Sequence, residues 1–319
     1  MYCVACGVKL KKDLFFLAKE MMYGFRENFK YFQCDKCECL QISHLPKDLS
    51  KFYPTDYYSY HEPNVSTNKI INFIKKKRAI YCIERKSLFG MFVSFTYGIP
   101  DWHKWFKLID LKFSDKILDV GSGGGDLLFN MNIEGFSKLI GVDPYINEDI
   151  YYSDQLQIFK KNIYDIVDQF DFIMLNHSFE HMLNPLDVLK KLYSILSPQK
   201  YLLIRIPVIG THAWRTYNVD WFSLDAPRHL HIQSLTSMNI MAEKSGFTLK
   251  NIVFDSSENQ FWGSEQYKKN IPLYDERSYL INTEKSIFSK KEINQFKNDS
   301  KKLNINNDGD SAIFYLYKN

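Results

Sequence analysis

Residues 116–130 read KILDVGSGGGDLLFN, and this stretch decides the fold class. A short apolar run, typical of a buried strand, is followed by a glycine-rich loop and then by apolar residues at helical spacing. Gly121 and Gly123 permit a tight turn and a close backbone approach, and a helix that starts after the loop offers free N–H groups. The stretch therefore predicts a strand–loop–helix unit that binds a nucleotide-like ligand.

The spacing of the glycines narrows the class of ligand. A dinucleotide-binding loop has the pattern G-x-G-x-x-G, which would place the third glycine at position 126. This chain has Asp126 there and Gly125 one residue earlier, so a carboxylate begins the helix. Because that carboxylate would repel a pyrophosphate, the loop favours a ligand without phosphates at this point.

Apolar runs alternate with segments of helical spacing after the loop. The helical segments are PLDVLKKLYSIL at 185–196 and SMNIMAEKSGF at 237–247. The predicted strands are LIGVD at 139–143, LQIFK at 156–160, DFIML at 171–175, YLLIRIP at 201–207, TLKNIVF at 248–254 and SAIFYLYK at 311–318. Strands that alternate with helices of this length predict parallel βαβ units and an α/β fold.

Asp143 ends the second predicted strand, 18 residues after Gly125. An acidic side chain at this place in an α/β fold accepts hydrogen bonds from the two hydroxyls of a ribose. The alternative is that Asp143 only forms a turn before Pro144.

Four motifs together resemble class I S-adenosylmethionine (SAM)-dependent methyltransferases over about residues 110–255. They are LDVGSGGGD at 118–126, GVDP at 141–144, FDFIMLNHSFEH at 170–181 and YLLIRIP at 201–207. The resemblance implies a Rossmann-like seven-stranded sheet whose last strand is antiparallel, and SAM as the cofactor. It implies that Asp119 and the backbone at Gly121 and Gly123 hold the methionine moiety. The cofactor-binding residues that it implies are Asp119, Gly121, Ser122, Gly123, Gly125, Asp143 for the ribose, Pro144, Asn162 and Ile163 beside the adenine, and His177.

Two CxxC pairs near the N-terminal end share one spacing: Cys3, Cys6, Cys34 and Cys37. Two residues between cysteines let one tight turn direct both thiolates at a single ion, and two such turns supply the four ligands of a structural zinc site. FKYFQ at 29–33 is a short aromatic strand that suits a zinc-ribbon hairpin. We therefore predict a structural Zn²⁺ with no open position for catalysis. Cys39 or His44 in place of Cys37, and four reduced cysteines without a metal, are the alternatives.

Five of the eight histidines lie between residues 177 and 231, after the fourth and fifth predicted strands. Open α/β sheets bind ligands at that edge. In the resembled methyltransferases of sugar carbon atoms, an E-H-F-type segment supplies a catalytic histidine, and it corresponds here to Arg228-His229-Leu230. By that resemblance His229 is the first candidate for the base that accepts the substrate's proton. His181 is the second, with Glu180 or Asp225 as the group that orients them. The alternative is that Glu180 and His181 cap the next helix and that His229 packs a loop.

Residues 207–233 show little helical or strand periodicity and are rich in aromatic side chains. Loops of this length inside a compact domain are usually functional, and aromatic faces beside Arg and His suit a sugar ring and a diphosphate. The cysteine pairs, YPTDYYSY at 53–60 and WFSLDAPRHLHIQS at 221–234 resemble bacterial methyltransferases of sugar and surface-polysaccharide biosynthesis.

The function that this resemblance implies is methyl transfer to a nucleotide-linked sugar or a surface-polysaccharide residue. Arg228 replaces the Glu of the carbon-methylating relatives, which favours a hydroxyl over a carbon as the acceptor. Two alternatives remain: an RNA or protein methyltransferase that uses the zinc ribbon for recognition, and a SAM-binding protein without catalytic activity.

Composition excludes several other classes. The chain has 319 residues, of which 45% are hydrophobic, so it is not a disordered chain. Its net charge of +4 lacks the concentrated basic field of most nucleic-acid binders, so a nucleic-acid partner is not expected. The longest apolar runs are far shorter than the ~20 residues that a membrane span needs. The first residues, MYCVACGVKLKK, resemble no secretory leader, and six unevenly spread cysteines do not suit a disulfide scaffold, so we expect a cytoplasmic protein.

The sequence suggests three consecutive regions. Residues 1–47 form the zinc-ribbon-like module, residues 48–110 form a linker and a helical lid, and residues 111–319 form the methyltransferase domain. An insertion is expected at about 256–308, with residues 290–309 as a polar loop. The sequence sets no oligomeric state, and the helices at 69–110 are either a lid or a dimer contact.

Overall fold

The computed structural model of the protein describes residues 1–11, 14–54 and 68–319. Most of the YPTDYYSY segment therefore lies outside the described residues. The strands are β1 (Phe15–Lys19), β2 (Asn28–Gln33), β3 (Leu40–Ile42), β4 (Ile117–Val120), β5 (Leu139–Val142), β6 (Ile150–Ser153), β7 (Leu156–Phe159), β8 (Phe170–Asn176), β9 (Leu196–Pro207), β10 (His231–Ile232), β11 (Thr248–Phe254) and β12 (Ser311–Lys318). The α-helices of the described residues are α1 (Lys69–Glu84), α2 (Leu88–Tyr97), α3 (Asp101–Trp105), α4 (Asp126–Glu134), α5 (Pro185–Ile195), α6 (His212–Tyr217), α7 (Leu235–Ser245), α8 (Asn259–Lys268) and α9 (Lys290–Ile305).

The contacts between residues divide the chain into two units. Unit 1 comprises residues 1–54, 177–190 and 204–316, and unit 2 comprises residues 55–176, 191–203 and 317–319. None of the helices in the described residues has the length and apolar character needed to cross a membrane.

Unit 2 contains the parallel sheet that the sequence predicts. Its strand order is β9-β8-β4-β5-β7-β6, and β4 pairs in parallel with both β5 and β8, as β5 does with β7. All four residues of β4 are buried, as expected for a strand covered on both faces. Gly125 and Gly135 cap the start and the end of helix α4, and both are in the left-handed conformation. The predicted α/β fold of the class I methyltransferase type is confirmed.

Unit 1 contains a second, antiparallel sheet in the order β1-β2-β3-β10. The short strand β10 pairs with β3, so the segment after the cysteine pairs lies beside residues 231 and 232. Strands β11, β12 and the C-terminal part of β9 also belong to unit 1, in the order β11-β12-β9. Strand β9 is thus common to both orders, and with β11 and β12 the mostly parallel sheet has eight strands.

Two expectations about elements are wrong. The sheet has eight strands rather than seven, because β6 pairs antiparallel with β7 at the edge of the sheet. The sequence did not predict β6, whose four residues alternate between half-buried and exposed. Residues 290–309 are largely helix α9 rather than a loop. Ser289 and Glu292 form a capping box at the start of α9, and Ile293 and Ser300 form its buried face.

Candidate functional site

The glycine loop between β4 and α4 has the conformation that its glycines permit. Gly121, Gly123 and Gly125 all have positive φ angles, of 76°, 52° and 86°. The Gly121 N–H donates to the Val142 carbonyl at 2.8 Å, so the loop is fixed to the end of β5. Since residues other than glycine adopt this conformation at a cost, the sequence requires glycine at these positions.

Asp143 holds the same loop through its carboxylate. Its Oδ2 accepts a hydrogen bond from the Gly123 N–H at 3.0 Å, and its Oδ1 accepts one from the Tyr145 N–H at 2.9 Å. Asp143 is 7% exposed, and burial raises the pKa of its carboxyl. The Tyr152 hydroxyl adds a third constraint by donating to the Gly124 carbonyl at 2.8 Å, a contact that the sequence did not predict.

Asp119 lies at the end of β4 and is almost completely buried. Its Oδ1 has no hydrogen-bond partner among the described residues. Burial, and secondarily the charge of Asp143, raise the pKa of Asp119 to about 7. A buried carboxylate oxygen without a donor is costly, so this atom is suited to a cationic or hydrogen-bond-donating ligand.

The remaining predicted cofactor residues of unit 2 differ in their surroundings. The Asn162 side chain accepts from the Tyr164 N–H at 3.2 Å and forms a capping box with Asp165, and Ile163 is buried. Ser122 is half-buried, while Pro144 is exposed. His177 belongs to unit 1, where its Nδ1 is 3.4 Å from Glu180 Oε1 and its Nε2 contacts Arg205.

His229 lies in unit 1 with one ring nitrogen fixed by the backbone. Its Nδ1 is 2.8 Å from the Ser223 carbonyl oxygen, which can only accept, so Nδ1 carries the proton. Its Nε2 is 3.8 Å from Glu180 Oε1 and 3.9 Å from Asp225 Oδ2. Because Nδ1 is held by a carbonyl, Nε2 is the ring nitrogen through which this imidazole can take up or release a proton.

Glu180 and His181 share this cluster. Burial opposes the charge of Glu180, yet the hydrogen bond from His177 and the charge of His229 bring its pKa down to about 2. Burial lowers the pKa of His181 to about 4, so this ring is neutral at pH 7. Its Nδ1 lies 2.9 Å from the Arg228 carbonyl oxygen and 3.0 Å from the Tyr53 hydroxyl. One potential ligand atom of each of Glu180, His181 and His229 lies within 4.8 Å of the others, a spacing that a metal ion also accepts.

Arg228 is a buried, ion-paired residue, whereas the sequence suggested a ligand-binding one. Its guanidinium is fully buried and donates to Asp225 at 2.5 to 3.0 Å, to Glu20 at 3.0 Å and to the Phe52 carbonyl at 3.3 Å. The expectation that this arginine faces a diphosphate is therefore wrong. Burial raises the pKa of Asp225, but the Arg228 charge outweighs that effect and holds the carboxyl below its usual range.

The aromatic residues of 207–233 are also core residues rather than a sugar platform. Trp214, Tyr217 and Trp221 are at most 7% exposed and pack with β1, β2 and β3 in one hydrophobic cluster. His231 is buried with both ring nitrogens engaged, by the Met182 carbonyl and by the Gln233 amide, so its role is structural. Part of the predicted loop is helix α6, which the uneven spacing of its apolar residues concealed.

The four predicted zinc ligands come together in unit 1. The Sγ atoms of Cys3 and Cys37 are 3.5 Å apart, as are those of Cys6 and Cys34, and no pair is disulfide-bonded. Sulfur atoms around a tetrahedral zinc are separated by roughly 3.8 Å, so the cluster fits the ion. Within the described residues, the group of potential ligands contains neither Cys39 nor His44. The backbone around the cluster is fixed by α7, since Lys244 donates to the Cys6 carbonyl at 2.8 Å and Ser234 to the Cys37 carbonyl at 2.5 Å.

Residues 97–251 match the model of a family described as a methyltransferase domain. The matched stretch comprises 155 of the 319 residues. The prediction of a methyltransferase enzyme is thus confirmed, and the family supports SAM as the methyl donor.

Solved structures with similarity to the chain come from several organisms. The chain is 15% identical to the cyclopropane synthase MmaA2 from Mycobacterium tuberculosis, with a TM-score of 0.46, and the likeness covers 69% of this chain and 84% of that one. It is 18% identical to a SAM-dependent methyltransferase from Archaeoglobus fulgidus, with a TM-score of 0.42, covering 73% of this chain and 100% of that one. No curated protein matches the chain.

Gly125, the last glycine of the loop, leaves little room for a side chain. A Cβ there would lie 2.7 Å from Ile158 Cδ1, and the positive φ angle adds backbone strain. We expect Gly125→Ala to lower the free energy of unfolding by about 1–2 kcal/mol, the usual cost of the left-handed conformation. Urea unfolding checks this value. Gly135→Ala is the matched control, because Gly135 is also left-handed but a Cβ there would come no closer than 3.4 Å, to the flexible Lys76 side chain, so it reports mainly the backbone contribution.

Sequence reasoning missed three residues that shape the histidine cluster. Glu20 ion-pairs with Arg228, Tyr53 contacts His181, and the Tyr31 hydroxyl donates to the His229 carbonyl at 2.8 Å. Their partners lie more than 120 positions away in the chain. Of these three residues, only Glu20 could have been suspected from the sequence, because it is an acidic residue directly after the apolar stretch FFLA.

Proposed function

We propose that this chain transfers a methyl group from SAM to a hydroxyl group of a nucleotide-linked sugar or a surface-polysaccharide residue. The observation that carries the proposal is His229, whose protonated Nδ1 is fixed by a carbonyl and whose Nε2 lies beside two carboxylates. An alcohol is a poor nucleophile until its proton is removed, and a neutral histidine is the usual base at pH 7. Carbon methylation is the less favoured reaction, since Arg228 is committed to Asp225 and Glu20.

The residues that would hold SAM are those of the glycine loop together with Asp119 and Asp143. SAM supplies an electrophilic methyl group, so the main task of the protein is to position the acceptor. The orphaned Oδ1 of Asp119 fits the ammonium group of the methionine moiety, and the Asp143 carboxylate retains lone pairs for ribose hydroxyls. The Asn162 side chain is used by its own turn, which leaves its backbone and the neighbouring Ile163 for the adenine.

The choice of a sugar acceptor rests on the sequence resemblance to bacterial methyltransferases of sugar and surface-polysaccharide biosynthesis. The proposed cytoplasmic location follows from the reduced, unpaired cysteines. The four-cysteine cluster is proposed to hold a structural zinc, since four thiolates leave no open coordination position.

The test follows the label from SAM carrying a labelled methyl group, incubated with the purified protein and an extract of its source cells. Label is counted separately in the nucleotide-sugar and glycan, RNA and protein fractions. We expect it in the sugar fraction, with only background label for the Asp119→Asn variant. Label confined to RNA or protein would overturn the sugar assignment. Bound SAM without label in any fraction would favour a non-catalytic protein.

The pH dependence of SAM binding tests the role of Asp119. Because its pKa is raised to about 7, the carboxyl is mostly protonated below that pH and must lose its proton to pair with an ammonium group. We expect the Kd for SAM to be constant above about pH 8 and to rise towards tenfold per unit as the pH falls below 7. Calorimetric titrations between pH 5.5 and 8.5 measure this effect. The Asp119→Asn variant should bind more weakly and without the pH dependence, and equal Kd values for the native protein at pH 6 and 8 would contradict this role.

A further inference from the structure

Helix α2 of unit 2 presents an uncovered apolar face. Leu88, Phe92 and Phe95 are 81%, 65% and 81% exposed. They are spaced four and three residues apart, so they form one stripe along the helix. Exposed apolar patches of this kind, rimmed by polar residues, mark interaction surfaces.

Helix α1 extends this surface with aromatic and cationic groups. The ring of Phe73 lies 6.4 Å from that of Phe89, and both side chains are about half exposed. The Lys77 ammonium lies 5.3 Å from the centre of the Phe73 ring. Two aromatic rings and the Lys77 ammonium therefore lie together on the α1–α2 hairpin, which comprises residues 69–97.

The opposite face of α2 is the one that holds the hairpin together. Gly90 packs so closely on α1 that a Cβ there would lie 1.9 Å from the Lys77 carbonyl oxygen. Val93 and Ser94 are buried beside it. Helix α1 is attached to α4 by the ion pair between Arg78 and Glu134, at 3.2 Å. The exposed stripe is thus not needed for packing within the hairpin.

The hairpin also concentrates the positive charge of the chain. Residues 69–97 contain seven Lys and Arg and a single acidic residue, Glu84, which gives a net charge of +6 in a chain whose total is +4. Arg78 pairs with Glu134, and Lys86 pairs with Glu84 at 3.3 Å. Lys69, Lys76 and Lys86 are nevertheless exposed. The remainder of the chain is therefore slightly acidic, and the hairpin is its one strongly basic segment.

We propose that the α1–α2 hairpin binds the surface of an anionic lipid bilayer. Helices that lie in a membrane interface combine Phe and Leu on one face with Lys and Arg around it, and they bind through buried apolar area plus attraction to anionic headgroups. The hairpin has both parts. A second copy of the chain is a poor occupant because two segments of charge +6 repel each other. A nucleic acid would be attracted by the positive charge. It would gain little binding free energy from contact with the apolar stripe of Leu88, Phe92 and Phe95.

The experiment is co-sedimentation of the full chain with vesicles of phosphatidylcholine that contain increasing fractions of phosphatidylglycerol. We expect the partition coefficient to rise with the anionic fraction and to fall with added salt. The double variant Phe92→Glu/Phe95→Glu should lower it by about tenfold or more, because it removes apolar area and adds repulsive charge. The variant Lys69→Glu/Lys86→Glu should lower binding by about tenfold on anionic vesicles alone.

Matched control variants carry the same changes elsewhere. Val167→Glu/Ile305→Glu alters two apolar side chains that are 83% and 80% exposed, and Lys290→Glu/Lys291→Glu reverses two exposed lysines of α9. Both controls should retain at least half of the binding on the most anionic vesicles. Equal binding to neutral and anionic vesicles, or no loss in the Phe92/Phe95 variant, would overturn the proposal. The proposal would also be overturned if the native chain does not bind vesicles but forms a dimer or a complex with RNA that the Phe92→Glu/Phe95→Glu variant abolishes. Vesicle binding is measured without methyl transfer, so its outcome is independent of the proposed function.

Discussion

Replacement of His229 by Ala is expected to lower kcat by about 10²–10⁴, the usual contribution of a general base. Its Nε2 lies near the carboxylates of Glu180 and Asp225, so loss of the ring removes the proposed acceptor of the substrate's proton. The Kd for SAM should remain within about twofold of the native value, because the residues proposed to hold SAM are unchanged. Label transfer to the sugar fraction and calorimetric SAM titration measure the two quantities.

The control for this prediction separates a chemical role from a structural one. His229→Asn retains a side-chain N–H for the Ser223 carbonyl but has no basic nitrogen, so it should be as inactive as the alanine variant while unfolding at a temperature close to that of the native protein. His181→Ala should show a smaller loss. If His229→Asn keeps more than half of the native rate, His229 is not the base.

Loss of the proposed zinc from the four-cysteine cluster is expected to have the largest effect on stability. Structural zinc sites contribute about 10–16 kcal/mol of binding free energy, which is lost from folding when a ligand is removed. We expect purified protein to contain one zinc per chain, and Cys34→Ser to abolish it and to lower the unfolding temperature by roughly 10 °C or more. The cluster is buried and bonded to α7 through Ser234 and Lys244, so the loss should spread through unit 1.

Three cysteine and histidine variants serve as controls. Cys82 belongs to unit 2 and is not part of the group of ligand atoms, so Cys82→Ser should keep the zinc and the unfolding temperature. Cys39→Ser and His44→Ala should also keep the zinc, because neither residue belongs to the group of ligand atoms. Metal analysis measures the zinc content of each variant, and thermal unfolding measures its unfolding temperature. A native protein without zinc, or a Cys34→Ser variant that still holds it, contradicts the zinc assignment.

The sequence predicts well those features whose residues are close together in the chain. The glycine loop, Asp119 and Asp143 lie within 25 residues, and a strand, a turn and a helix start each have a local signature there. The cysteine pairs are also legible, since two residues between thiols set the geometry of each turn. Helix ends have a local signature too, because a glycine caps the C-terminal end of α4 at Gly135 and of α7 at Gly246.

The histidine cluster was harder to predict because its partners come from distant parts of the chain. Arg228 looked like a ligand-binding group, yet Glu20, some 208 positions away, pairs with it and makes it structural. The rings of Trp214 and Trp221 suggested a sugar platform for the same reason, since nothing local shows that β1, β2 and β3 cover them. Strand β6 was missed because it has only four residues and is stabilised by its pairing with β7. Helix α9 was missed because its apolar residues are few.

The central claim is that the glycine loop and its two aspartates bind SAM, and calorimetric titration of SAM into the purified chain tests it most directly. We predict one site per chain, and a Kd at least about tenfold higher for Asp143→Ala, which removes the proposed partner of the ribose hydroxyls. Asp126→Ala is the matched control, since Asp126 is an exposed carboxylate at the start of α4 with no proposed contact, and it should bind as the native protein does. No binding by the native chain, or equal affinity for Asp143→Ala, would contradict the account.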